Sequence, residues 1–184
     1  MNSFKITFVL LIFLSACQTD NRTIEAEVKG LSTTTQQKAF LEAIHDLDQQ
    51  VRNDESEVLR EFGYNSDQHK EAIATIMKTD QVNLEKIELY LELYGHPNIA
   101  QHGQHASSAP WVVIHHSSGE TNSRRRNFNH LHEAWKKGDL DGGQFAFYLN
   151  RFYEKEFGGR LQIEGGFTEE FEIDTLITLL KLSE

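Results

Sequence analysis

Between Phe40 and Phe62 the chain returns to apolar residues at helical spacing: Leu41, Ile44, Val51, Val58 and Phe62 share one stripe, and Gly63 supplies a stop. That period commits the segment to a long amphipathic helix, which buries its stripe only by packing on other elements. Two positions of the stripe are acidic instead of apolar, Asp48 and Glu55. A second segment opens on the capping residue Ser66 and ends at Gly95-His96-Pro97, with Ile73, Met77, Leu84, Ile87, Leu91 and Tyr94 on one side. Its missing step, between Met77 and Leu84, is taken by Asp80. Two successive helices therefore each interrupt their seam with an aspartate.

An ionised carboxylate turned into a helix interface is costly unless cations or donors meet it. For Asp80 a second reading is open, because Lys78-Thr79-Asp80-Gln81 suits the start of a new helix with Asp80 as its N-cap. Asp48 lies mid-helix. It either leans to the flank of the stripe and pairs with Arg52 one turn on, or faces inward and needs Arg52 or Arg151 beside it.

The remaining segments read as helices too. Ser107 or Ser108 as cap and Pro110 at the start introduce Trp111 to His116, whose β-branched run suits a helix or a strand. A short buried helix is preferred, because no other run offers a partner strand. Asn122 or Ser123 caps a helix with Phe128, Leu131 and Trp135 as its stripe, closed by Lys136, Lys137 and Gly138. Phe145, Tyr148, Leu149 and Phe152 mark another between paired glycines, and Thr168 with Glu169, Glu170 and Glu172 opens the last. A glycine-bounded connector before Thr168 reads as short and extended. The expectation is an all-α single domain of about five or six helices over residues 36–184.

Residues 1–16 carry Lys5, an apolar run from Ile6 to Leu14 and small residues before Cys17, the order of a secretory signal peptide. The run falls far below the ~20 residues of a membrane-crossing helix. Leu14-Ser15-Ala16-Cys17 resembles the lipobox of bacterial lipoproteins, which implies cleavage before Cys17 and a lipid anchor, such as palmitate, on that cysteine. The expected location is the bacterial cell envelope. Gln18 is not the aspartate that retains such proteins at the inner membrane, so the outer membrane, periplasmic or surface face, is favoured. Residues 17–35 are polar and read as a flexible tether. Cys17 is the one cysteine, which excludes an intrachain disulfide and a thiolate zinc site. Loss of Lys5 with the leader takes the net charge from -10 to -11. Such a surface repels nucleic acid, and any anion it binds must be met by local cations.

Nine histidines, six of them between His102 and His132, raise the question of a metal. His102 and His105 can share a helix face, with His115 or His116 as a further ligand. His130 and His132, however, stand ~200° apart on their helix and cannot chelate one ion. With no His-Glu-x-x-His, no metal or other cofactor is expected. Arg124-Arg125-Arg126 opens a helix, where the macrodipole disfavours cations. It reads as a solvated turn, or as a small patch for lipid headgroups or an acidic partner. Ser117 and Ser118 have no nucleophile motif around them.

Taken in order, Asp48-Gln49-Gln50-Val51-Arg52, Asp80 with Asn83, Tyr94-Gly95-His96-Pro97, Trp111 leading to His115-His116, Asn150-Arg151, and the run from Gly159 to Gly165 form a pattern. It resembles the bacterial family called domain of unknown function six-six-two-four, from Ala39 to Gly165. The chain departs from that pattern at His115, Asn150 and Glu164, where the family has glutamine, aspartate and tyrosine. The resemblance implies that Asp48, Arg52, Asp80, Asn83, His116 and Arg151 belong to one polar set; it transfers no activity. The favoured function is a membrane-anchored domain that binds a protein or a small polar ligand. The alternative is a hydrolase-type enzyme using His116 with Asp48 or Asp80, which requires these side chains to converge at an open pocket.

Overall fold

The structure, a computed structural model, describes residues 16–117, 121–162 and 168–182. Among them seven helices follow in order: α1 (Ala16–Lys29), α2 (Thr34–Phe62), α3 (Asp67–Tyr94), α4 (Ile99–His116), α5 (Thr121–Lys137), α6 (Gly142–Phe157) and α7 (Glu169–Leu179). No strand occurs among the described residues, so the all-α expectation holds and the run from Trp111 to His116 is helical. The helix count is higher than expected by one or two. The leader up to residue 15 and residues 163–167 of the connector lie outside the described residues.

Local chemistry sets the ends. Thr33 and Gln36 form a capping box at the start of α2, and Ser66 Oγ accepts from the His69 backbone N–H at 3.1 Å to start α3. Asp141 and Thr168 cap α6 and α7 in the same way. Gly95, at φ +73°, stops α3 where a β-carbon would strain the turn.

Paired contacts give the helix directions. Phe40 stacks near Tyr90, Arg52 meets Asp80 and Glu55 meets His69, so α2 and α3 are antiparallel. Gln37 with His102, His45 with His105 and Asp48 with His116 ascend together, so α4 runs in the same direction as α2. α4 also packs on α3, α5 and α6, and α6 carries α7, which makes α4 the shared wall of the bundle. One apolar core runs through it, with Tyr90, Phe145, Tyr148 and Phe152 as its largest fully buried side chains.

Four expectations are corrected. The tether over residues 17–35 is largely helix: α1 packs on α3, Val28 is 0% exposed, and Tyr94 Oη donates to the Val28 carbonyl at 3.0 Å. Ile24, Val28 and Leu31 supply apolar surface that meets the core. Asp80 lies in the middle of α3, so it caps nothing. Ser107 and Ser108 lie inside α4, which begins at Ile99 and is kinked by Gly103 at φ +82°, and Ser123 lies inside α5. Finally, the seams run out. Ile73, Met77 (68% exposed) and Phe62 face solvent, because buried positions on α2 stop at Val51 and, His69 apart, begin on α3 at Asn83. The tip of the α2–α3 hairpin projects as a two-helix arm, and Glu55 at its base pairs with His69 at 2.8 Å.

Candidate functional site

Asp48 is 1% exposed and its carboxylate is met from three sides. Oδ2 accepts from Gln49 Nε2 at 2.8 Å and lies 2.9 Å from His116 Nδ1; Oδ1 stands 3.1 Å from Arg52 Nη1. Arg52 Nη1 also donates to the Asp48 carbonyl at 2.9 Å, while Nη2 reaches across to Asp80 Oδ1 at 2.7 Å. One guanidinium is therefore shared by two acids from two helices, and the imidazole of a third helix completes the set. A carboxylate only accepts, so His116 carries its proton on Nδ1 and leaves Nε2 as the other ring position. Burial raises the Asp80 pKa above the usual carboxylate value, against the opposing pull of Arg52.

The sequence-predicted set is brought together only in part. Asp48, Arg52, Asp80 and His116 converge. Asn83 is buried one turn beyond Asp80, and its Nδ2 has no partner among the described residues. Arg151 is corrected: it stands on an exposed face of α6 and pairs with Glu154 at 3.0 Å, so it gives Asp48 no hydrogen bond. Asn150 beside it ties α6 to α7 through Glu172 Oε1 at 2.6 Å, a tethering role that an amide fills without ionisable chemistry.

The residue next to His116 opens a second environment. His115 packs near-parallel on Trp111, with ring centroids 5.3 Å apart, and against Phe147. Burial, and then the charges of His116, Arg124, Arg151 and Arg52, push its pKa down to about 4, so the ring is neutral at pH 7. Arg124 lies behind it, only 3% exposed. The solvated-turn reading of Arg124 to Arg126 is thereby overturned at its first member. Arg124 Nη2 donates to the His115 carbonyl at 2.9 Å, its Nε has no partner, and no carboxylate pairs with it among the described residues. Arg126, by contrast, meets Glu88 at 2.9 Å. The cation placed where a helix N-terminus disfavours it was the signal that marked Arg124 in the sequence.

The histidine expectations divide as well. His102 is buried and spent on structure, bonded to the Asn98 carbonyl and Gln37 Oε1, each at 3.2 Å. His132 stacks with Phe128 and Trp135. His105 turns away from His102 and meets His45 of α2 instead. Two surface cavities, of about 260 and 420 Å³, flank α5 and are lined by residues such as His96, His130, Glu133 and Ile177. Neither includes a member of the Asp48 cluster. Comparison with protein-family models, curated proteins and solved structures returned no match to this chain.

Proposed function

We propose that the chain is a lipid-anchored envelope domain, held through an acyl group on Cys17, that binds a small polar anion beside the C-terminal end of α4. The observation that carries the binding reading is the charge imbalance around His115. Arg52 is balanced by Asp48 and Asp80 and Arg151 by Glu154, but Arg124 has no carboxylate partner among the described residues. A buried guanidinium without a counter-charge favours an anion nearby, even where solvent-facing neighbours make the contacts. His116 and the exposed Arg151 supply such contacts, and Arg124 supplies the field behind them.

Calorimetric titration of the full chain with inorganic phosphate tests it. Arg124→Met is expected to weaken binding by roughly tenfold, the factor that accompanies loss of ~1.4 kcal/mol, while leaving the helical signal intact. Equal affinity in the variant, or no binding by either protein, overturns the reading. One observation favours the hydrolase alternative: Asp48 fixes the His116 tautomer, the arrangement that prepares an imidazole as general base. Binding is preferred because it accounts for the buried Arg124 without a carboxylate partner among the described residues, which the hydrolase reading leaves unused.

A further inference from the structure

We propose that His45, Asp46 and His105 form a binding site for a divalent first-row transition ion, with zinc the ion best matched. The site shares no residue with the anion reading and stands or falls separately from it. α2 supplies adjacent residues His45 and Asp46, and α4 brings His105 onto them just past its kink at Gly103. His105 Nε2 lies 2.8 Å from His45 Nδ1 and 3.0 Å from Asp46 Oδ1, and the remaining edge, His45 Nδ1 to Asp46 Oδ1, is 3.8 Å.

Those three edges decide whether one ion fits. A triangle of sides 2.8, 3.0 and 3.8 Å has a circumradius of ~1.9 Å, just under the ~2.0–2.1 Å of zinc–nitrogen and zinc–oxygen bonds. A point at bonding distance from all three donors therefore exists, ~0.7 Å out of their plane. The two imidazole rings are nearly perpendicular, at 85°, with centroids 4.3 Å apart, so their edges meet without the rings clashing.

The donor chemistry selects the ion class. Two neutral imidazoles and one carboxylate match zinc and its neighbours, whereas calcium and magnesium require mostly oxygen ligands. Without an ion, the 2.8 Å contact requires a proton on one of the two facing ring nitrogens. Metal binding would require that proton to sit on the other nitrogen of its ring, which leaves both facing nitrogens and the carboxylate free to bond the ion. Asp46 and His105 are exposed, so the ion's fourth position faces solvent and takes a water molecule.

Spacing along the chain conceals the site, because its two halves are 60 residues apart and only the α2–α4 packing joins them. Equilibrium dialysis of the full chain against zinc chloride, followed by elemental analysis, is the test. The expected result is one ion per chain at micromolar free zinc, with affinity reduced at least ~10-fold by His105→Gln and by Asp46→Asn. Both substituted side chains face solvent, so helical circular dichroism should be unchanged. If His105→Gln does not fold, Asp46→Asn, at the most exposed of the three positions, decides. Cobalt(II) should give visible ligand-field absorption in the parent chain that is lost in His45→Gln/His105→Gln. Absence of stoichiometric zinc, or stoichiometric zinc undiminished in the variants, overturns the assignment.

Discussion

His116 Nδ1 lies within 3.1 Å of both oxygens of Asp48, across 68 positions of sequence, and so fastens the end of α4 to the middle of α2. Removing the acid would leave His116 Nδ1 without its acceptor at a part-buried position, while Arg52 would keep Asp80 and the main-chain carbonyl of residue 48. Asp48→Ala is therefore expected to destabilise the domain by ~1–3 kcal/mol, the cost of a donor left unsatisfied. Urea unfolding of the variant measures it. A loss under ~1 kcal/mol would mean the carboxylate is as well solvated as a surface acid.

Arg52 joins the two seam aspartates, so their effects should not add. Asp80 retains more exposure than Asp48 and one cationic contact, and Asp80→Ala is expected to cost less than Asp48→Ala. A double-mutant cycle between the two acids should give a coupling of at least ~0.5 kcal/mol. Strict additivity would show that Arg52 does not link them.

Two histidines make the fold acid-sensitive. Burial holds the pKa of both His96 and His115 down to about 4 in the folded chain, while an unfolded histidine takes its proton near ~6.5. Between those values the unfolded chain binds more protons, so stability rises with pH in this window. The contribution is present above the unfolded value and is lost as pH falls toward about 4. Unfolding free energies measured from about pH 7 to about pH 5 should fall, and His115→Gln should lower the slope by up to about one proton. An unchanged slope would count against a neutral His115.

The first helix should behave as part of the core. Val28→Ala removes two buried methyl groups where α1 meets α3 and is expected to cost ~2 kcal/mol. Thermal unfolding would read this as a lower midpoint, whereas a tether would tolerate the change.

Much of this could be read from spacing. The seams of α2 and α3 located Asp48 and Asp80 as acids turned inward, since a carboxylate in an apolar stripe demands a partner. Arg52, one turn from Asp48, was the available cation. Spacing could not say where the seams would run out, because burial of Ile73 and Met77 depends on whether a third helix covers them. It missed α1, where Ile24 and Val28, with Leu31 just beyond, looked too few until α3 supplied the opposing surface. Arg151 does not pair with Asp48, because its facing depends on the rotation of α6, and it meets Glu154 on the same helix instead. The His45–Asp46–His105 meeting has no local trace, since it arises from helix packing alone.

The helical form of α1 bears on how an acylated Cys17 would hold the domain. A helix from Cys17 to Val28 spans ~16 Å at 1.5 Å per residue, and its far end is locked against α3. Such a strut would fix the standoff and tilt of the bundle above the bilayer, where a slack leash would let it roam. The same side of the protein would then always be offered to whatever approaches from the aqueous phase.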